Sequence, residues 1–256
     1  MPISAIVTTK EDTMHLEKVL DSLKHCHEIF IVDNGASEKF LELARNKGCT
    51  ICTHTGTFED RVNAAIQDAP SNWLLMIDHN ETISPELLPY LEEYIENTDH
   101  VHGLYIPRKS FILNRWRKSL YPDYQLRFVR KIHTRFVKRK NGKGEFLVTG
   151  KTDRIPASME NLALNQLSHS LSGAFDLINT ASTKLANDTK LNHISFMRLF
   201  FSPLKEFCKQ YFITGGIFYG RTGFVFAVNH AIFTYVKLAK IYESRLKTEE
   251  GLITID

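Results

Sequence analysis

Asp78-His79-Asn80-Glu81 follows directly on Trp73-Leu74-Leu75-Met76-Ile77, an uninterrupted apolar run of strand length. Such a run suits a strand buried on both faces of a parallel sheet. Ser84 and Pro85 then read as the N-cap and first residue of a helix. A buried parallel strand that ends in carboxylates and leads into a helix sets those carboxylates at the carboxyl edge of the sheet, where open α/β sheets bind ligands. An acidic loop without a task would show the same residues, so the surrounding chain has to decide. Two further strand ends carry acids: Glu11 and Asp12 beyond Ile3–Val7, and Asp33 beyond Glu28–Val32. Three acidic strand ends on one sheet edge define a crevice. The first strand is followed by no Gly-x-Gly-x-x-Gly, and no P-loop occurs, which argues against the usual dinucleotide and P-loop sites.

The elements that must hold these residues are legible from periodicity. Leu16, Val19, Leu20 and Leu23 recur at i, i+3, i+4 and i+7, one face of a helix. Asn34-Gly35 could turn a hairpin, but Phe40, Leu41 and Ala44 argue for a helix stopped by Gly48. Thr50–Thr53 is a third short strand. Phe58–Asp68 is helical with Val62, Ala65 and Ile66 inward, and a helix carrying Leu87, Leu88, Leu91, Tyr94 and Ile95 precedes a strand at Gly103–Pro107. The first 107 residues thus alternate strand and helix, which predicts an α/β fold: a mostly parallel sheet with right-handed crossovers and helices on both faces. Beyond Arg108 the pattern changes. Tyr121-Pro122-Asp123-Tyr124 signals a turn, Gln125–Arg130 a strand, Asn141-Gly142 a hairpin turn and Leu162–Leu167 a further strand.

The net charge of +3 conceals a division. Residues 1–107 hold 7 Lys/Arg against 18 Asp/Glu, whereas residues 108–154 hold 15 against 3. A same-sign block of that size faces phosphates, anionic lipid or nucleic acid more readily than it serves as an ordinary solvated face. Nucleic acid is set aside because Lys138-Arg139-Lys140 and its neighbouring aromatics belong to no recognised binding motif. Cys49 and Cys52 form a C-x-x-C without a second pair, and read as residues at the ends of a strand rather than a zinc or redox site. His25-Cys26-His27 reads as a surface turn. The N-terminus lacks a basic n-region and a long apolar stretch, so the expectation is a cytoplasmic protein.

The C-terminal third is helical and unusually apolar. Between Phe224 and Tyr242 only Asn229, His230, Thr234, Lys237 and Lys240 are polar, roughly along one stripe. Upstream, Phe196, Leu199, Phe200, Phe201, Phe207, Tyr211 and Phe212 are interleaved with Arg198, Lys205 and Lys209. No run of 18 apolar residues occurs, so no segment reads as a clear span. Two readings stand side by side: a basic amphipathic region lying in a membrane interface, and helices that cover the sheet domain.

Several of these segments, in their order, resemble glycosyltransferase family 2, enzymes of the GT-A fold, and within it the branch of bacterial lipopolysaccharide core β-glucosyltransferases. Ile6-Val7-Thr8-Thr9-Lys10-Glu11 is similar to the family's opening strand and loop, and Glu28–Ser37 to its second strand and acidic turn. Arg61-Val62-Asn63 and Asp78-His79-Asn80-Glu81 fall where the family has a cation followed by Asn and its Asp-x-Asp-Glu. Tyr121–Arg127 matches a Tyr-Pro-Asp-Tyr-x-Leu-Arg pattern, and Gly223–Lys240 its lysine-containing final helix. The division that follows is a nucleotide-sugar-binding and catalytic domain over residues 1–170 and a helical region over residues 171–256.

The resemblance implies an inverting transferase that moves a sugar, a hexose carried by UDP, to a lipopolysaccharide core or related surface glycan. It would act in the cytoplasm at the inner face of the membrane. Thr8, Glu11 and Asp33 would line the nucleotide pocket, and Arg61 and Arg127 would neutralise the diphosphate. Asp78, the Asn80 position and His169 would hold Mg²⁺ or Mn²⁺. Asp123 and Glu145 are the candidate bases, with Glu160 a further possibility. Asn80 departs from the family's metal-binding Asp. Glu81 or His79 would then substitute for it, or the cations Arg61, Arg127 and Arg130 would carry the diphosphate charge. The alternative is a degenerate nucleotide-sugar-binding protein with weak or no transfer.

Overall fold

The computed structural model describes residues 2–9, 15–112, 115–138, 144–167, 171–187 and 194–249. They form two compact units: Met1–Phe111 with Trp116–Leu167, and Ile112–Arg115 with Ser168–Asp256. In chain order the first half contains β1 (Ile3–Thr8), α1 (Leu16–Ser22), β2 (Glu28–Val32), α2 (Glu38–Asn46), β3 (Thr50–Cys52), α3 (Phe58–Asp68), β4 (Trp73–Asp78), β5 (Glu81–Thr82), α4 (Leu87–Asn97) and β6 (Val101–Ile112). Next come β7 (Arg115–Trp116), β8 (Asp123–Arg130), β9 (Thr134–Lys138), β10 (Gly144–Val148), β11 (Lys151–Arg154) and β12 (Leu164–Gln166). The helices α5 (Leu171–Asn187), α6 (Phe196–Cys208) and α7 (Gly220–Glu249) complete the chain.

The main sheet runs β3-β2-β1-β4-β8-β6-β12-β5. Strands β3, β2, β1 and β4 are parallel, as the alternation of strand and helix predicts. Their side chains alternate between two cores, the period of two that a strand buried on both faces requires. Ile3, Ala5, Val7, Trp73, Leu75 and Ile77 meet the apolar faces of α1, α2 and α4 on one side. Ile6, Leu74 and Met76 meet Val62, Ala65 and Ile66 of α3 on the other. Cys49 belongs to the first core and Cys52 to the second, so this pair cannot share a metal.

Strand β8 inserts between β4 and β6, antiparallel to both. Two sequence expectations need correction. Ser84 does not cap α4: the helix starts at Leu87 with Glu86 at its N-cap, because Leu87 N–H first closes a turn onto the Ser84 carbonyl (3.1 Å). The strand predicted at Gln125 begins earlier, at Asp123, which pairs with Arg108 of β6. Strands β9 and β10 form a separate antiparallel hairpin, and the Asn141-Gly142 turn lies outside the described residues.

In the second unit, Lys240 of the polar stripe on α7 donates to the carbonyl and Oδ1 of Asn179 and to Thr183 Oγ1, each at 2.6 Å. That stripe therefore turns at least partly toward α5, not toward water. Large apolar side chains face outward instead: Phe200, Phe201 and Leu204 on α6, and Phe218, which is 88% exposed. Residues Gly216–Ser244 also make one helical stretch long and apolar enough, by length and composition, to cross a membrane. The absence of an uninterrupted apolar run concealed it, since isolated polar residues break the run without lowering its mean hydropathy of 1.3 below that of a span.

Trp73 is fully buried, stacked on Phe128 with ring centroids 4.6 Å apart and covered by the Arg130 guanidinium. Trp73→Ala is expected to destabilise the first unit by about 3–5 kcal/mol, the range for deleting a buried aromatic. Trp73→Phe should cost less, and urea unfolding followed by circular dichroism checks both.

Candidate active site

The strand order fixes where a ligand can bind. From β1 the sheet grows outward through β2 and β3, and β4 is then added on the opposite side of β1. The carboxyl ends of β1 and β4 therefore flank a topological switch point, the place where open α/β sheets form a crevice. Parallel register brings Thr8 beside Asp78 there. The Thr8 hydroxyl donates to Asp78 Oδ1 (3.1 Å), and His79 N–H donates to the Thr8 carbonyl (3.1 Å). On the other flank the Thr9 hydroxyl donates to the Val32 carbonyl (3.2 Å) and accepts from Asn34 N–H (3.3 Å). The end of β1 is thereby fastened to both neighbouring strand ends.

A chain of ion pairs extends from Asp78 across β8 to β6. Arg127 of β8, only 7% exposed, places Nη2 on Asp78 Oδ2 and on Glu81 Oε1 (3.0 Å). Glu81 is fully buried. Its Oε1 also accepts from Arg108 Nη1 (2.7 Å), and its Oε2 accepts from Asp78 N–H (3.1 Å). Arg108 in turn donates through Nε (2.9 Å) and Nη2 to Asp123 Oδ2, while Gln125 Nε2 donates to Asp123 Oδ1 (2.8 Å). Burial drives the Asp78 carboxyl up, but the Arg127 guanidinium and the Thr8 hydroxyl outweigh it and hold the group below the usual carboxylate range. Burial likewise pulls Arg127 down, and Asp78 and Glu81 more than restore it, so the guanidinium stays charged.

The sequence placed Asp78, Asp123 and Arg127 among the candidates, and the structure joins them in one network. It did not single out Arg108, which completes that network. The only signal was its position at the head of the basic block, where ordinary surface cations look the same.

Asp33 stands at the neighbouring strand end, and Arg61 is held beside it through Asn34. Asp33 Oδ1 accepts from Gly35 N–H (3.1 Å) and Ala36 N–H (2.8 Å), a turn that Gly35 completes at φ +101°. Arg61 reaches back from α3, and its Nη2 donates to Asn34 Oδ1 (3.0 Å). The Nε–H groups of Arg61 and Arg127 are buried without an acceptor among the described residues. Such orphaned donors are uncommon, and an anionic ligand is one way to satisfy them.

Glu145 is placed differently from the other candidates. It is carried by β10, opposite Val137 of the small hairpin, and not by the main sheet. Glu160 is exposed, at the start of the 3₁₀ turn Glu160–Leu162, whose Leu162 is buried. Glu11 and His169 fall outside the described residues. Asn80 is buried, and its carbonyl accepts from Leu167 N–H (2.7 Å). The pairing of β12 with β5 sets Gln166 opposite Glu81, so the segment just before His169 is fastened to the Asp78–Glu81 loop.

Among the described residues no three His, Cys, Asp or Glu side chains converge as a metal cluster. The chemistry still fits a hard cation in part. Three carboxylates against two guanidiniums leave the Asp78–Glu81–Arg127–Arg108–Asp123 network with one formal negative charge, and the Asp78 side chain remains 37% exposed. One accessible carboxylate is a usual protein contribution to a Mg²⁺ ion whose remaining ligands are water and phosphate.

The sequence profile described as "Glycosyl transferase family 2" matches residues 4–152, the stretch that carries Thr8, Asp33, Arg61, Asp78, Glu81, Arg108, Asp123 and Arg127. The chain is 24% identical over 258 residues to the lipopolysaccharide core biosynthesis glycosyltransferase LpsC of Rhizobium meliloti (strain 1021), covering 95% of this chain and 93% of the relative. It is also 24% identical to an uncharacterized glycosyltransferase of Rickettsia prowazekii (strain Madrid E), covering 99% and 91%. Among solved structures, S. aureus TarS 1-349 aligns with 98% of this chain and 92% of that one at 13% identity and a TM-score of 0.46. Glucosyl-3-phosphoglycerate synthase from Mycobacterium tuberculosis aligns with 72% and 78% at 13% identity and a TM-score of 0.43. With the family profile spanning more than half of its residues, this chain belongs to glycosyl transferase family 2, and it is a glycosyltransferase.

Proposed function

We propose that the protein transfers a hexose from a UDP-sugar, with inversion at the anomeric carbon, to a lipopolysaccharide core or related surface glycan. The observation that carries this reading is the alignment of Thr8, Asp33 and Asp78 at three adjacent carboxyl strand ends, with the guanidiniums of Arg61 and Arg127 beside them. An acidic wall with two cations suits a nucleoside diphosphate, whose base and ribose offer donors and whose phosphates offer acceptors. The LpsC relative, matched along nearly its whole length, supports the acceptor class.

In this reading Oδ2 of Asp33, without a partner among the described residues, accepts from uracil or ribose, while Oδ1 holds the turn that positions it. Arg61 and Arg127 face the diphosphate. Asp78, with Asn80, would hold Mg²⁺ or Mn²⁺, which supplies Lewis-acid stabilisation of the departing diphosphate. Asp123 accepts the proton of the acceptor hydroxyl as that oxygen attacks the anomeric carbon from the side opposite the leaving group. Arg108 and Gln125 fix the direction of its carboxylate. Glu145 is the other candidate for this role. The second reading, binding of a nucleotide-sugar without transfer, is favoured by Asn80, whose neutral amide replaces a carboxylate ligand.

The exposed apolar side chains of α6 and α7, with Arg198, Lys205 and Lys209 among them, are read as a surface that rests on anionic membrane at the cytoplasmic face.

Calorimetric titration with UDP, with and without Mn²⁺, tests the donor site. Binding strengthened by metal, and strengthened by about a further ten-fold (~1.4 kcal/mol) in Asn80→Asp, is the expected result; no UDP binding in any condition removes the donor reading. Arg61→Ala should weaken UDP by about ten- to hundred-fold, the scale of a hydrogen bond to a charged group. Asp123→Asn should lower kcat by about 100-fold or more with UDP affinity unchanged; a loss of that size in Glu145→Gln instead would transfer the base to β10. Sedimentation with phosphatidylglycerol vesicles is expected at low salt, weakened by at least about ten-fold in Phe200→Glu/Phe218→Glu. A wild type that stays in the supernatant would rule the membrane surface out.

A further inference from the structure

Helices α6 and α7 lie antiparallel. Phe207 packs edge-on against Phe224 beside the turn that joins them (5.6 Å), while farther from it Phe196 and Phe200 line one cavity with Ala231 and Tyr235. The turn itself, residues 212–218, leaves Ile213 81% and Phe218 88% exposed, and Phe212 and Ile217 are exposed beside them.

This apolar tip is held firmly. Gly215 reverses the chain at φ +77°, a conformation that glycine adopts without a steric cost. A Cβ on Gly223 would stand 1.8 Å from the Gly216 carbonyl oxygen, so the start of α7 touches the backbone of the turn. Thr214 N–H donates to the Lys209 carbonyl (2.9 Å), the Thr214 hydroxyl to the Gln210 carbonyl (2.8 Å), and Phe218 N–H to the Gly215 carbonyl (3.2 Å). These polar groups find their partners within the turn, as a segment surrounded by hydrocarbon must, because no water reaches it there.

The charge around the tip has one sign. Residues 191–242 contain six Lys/Arg and a single carboxylate, Glu206, which is already met by Gln210 Nε2 (2.8 Å) and Lys209 (3.7 Å). Lys209 stands four residues before Ile213 and Arg221 three residues after Phe218, so each helix carries an exposed cation next to the tip. The far half of α7 is engaged elsewhere. Leu238 and Ile241 are buried with Ala186 and Ile194, and Lys240 is bound to Asn179 and Thr183 of α5.

We infer that the turn is a wedge that enters a bilayer of anionic phospholipid tip first, from one side, without crossing it. The inference rests on the membrane reading above and adds depth and orientation to it. Phe212, Ile213, Ile217 and Phe218 enter the acyl chains, and Lys209 and Arg221 remain at the phosphates. An apolar tip alone would suit a protein groove as well. Cations on both helices at similar distances from the tip, with the one nearby acid already paired, match a plane of phosphates over hydrocarbon. The hold of α5 on the second half of α7 keeps that half on the side of entry.

Sedimentation of the full chain with phosphatidylglycerol vesicles tests the wedge. Ile213→Glu/Phe218→Glu should weaken binding by at least about ten-fold, with circular dichroism and thermal unfolding unchanged because both side chains face outward. Lys209→Gln/Arg221→Gln should weaken it by about five-fold per cation, and Lys209→Arg/Arg221→Lys should retain it. Phe218→Trp reports depth, since Trp73 and Trp116 both lie in the first unit and the wild type supplies their background. Its added emission should be quenched by lipids brominated in the acyl chain. Tyr235→Trp, roughly 25 Å farther along the helix at 1.5 Å per residue, should escape quenching. Three outcomes overturn the wedge: a tip variant that sediments as the wild type does, Tyr235→Trp quenched as strongly as Phe218→Trp, or equal affinity for phosphatidylcholine vesicles. The first, with binding lost in Phe200→Glu/Phe201→Glu, gives the contact to the face of α6 and removes the wedge alone. A wild type that leaves the vesicles unbound removes the membrane reading and the wedge together.

Discussion

Glu81 is the group on which the site depends. Its carboxylate is fully buried and accepts from Arg108, Arg127 and the backbone of Asp78. Each guanidinium also holds an outer carboxylate, Asp78 or Asp123, but Glu81 is the fully buried charge that both share, and removing one partner of a buried ion-pair network costs several kcal/mol. Arg127 fixes Asp78, and Arg108 fixes Asp123, so one glutamate sets the direction of carboxylates on two different strands. The arrangement is held by charge and hydrogen bonds in place of apolar packing, which gives fixed orientations at the one place where the sheet must stay open to a ligand.

The parallel half of the sheet could be read from the sequence because each strand and helix there follows a local rule. Trp73–Ile77 is a buried run, α1 through α4 show helical stripes, and short connections leave parallel pairing as the natural arrangement. The insertion of β8 could not be read, because it is decided by pairing with β4 and β6 across long stretches of chain. The same reason hid Arg108: nothing local tells it from Lys109, and only the pairing of Asp123 with Arg108 reveals its partner. Strand ends announce acids, and so Asp33 and Asp78 stood out. The cations that complete them come from antiparallel strands and a helix whose registers the sequence does not display. Asp33 was identified by position, but the turn held by its own Oδ1 was visible only once the backbone of Gly35 and Ala36 was in place.

The C-terminal unit reverses the usual logic of amphipathic helices. Lys240, part of the polar stripe that a sequence reading would give to water, is used against α5. Phenylalanines that a soluble bundle would enclose stand outward on α6 and before α7. Among the described residues these side chains stand exposed without an apolar partner surface over them. Periodicity located the helices but could not say which face would turn where, since that depends on the partner each face finds.

The antiparallel insertion of β8 also bears on how the protein is made. Arg127 and Asp78 are 49 residues apart in the chain, yet they share one ion pair. During synthesis the first four parallel strands leave the ribosome with the outer edge of β4 unpaired, and Asp78 and Glu81 lack their cations. Local β-α-β contacts can form at that stage, whereas the site waits for β8, made after both β4 and β6, to enter between them. Asp78 and Glu81 therefore gain Arg127 only once that non-local pairing has formed. Until β8 enters, the open edge of β4 is a template on which another chain could pair.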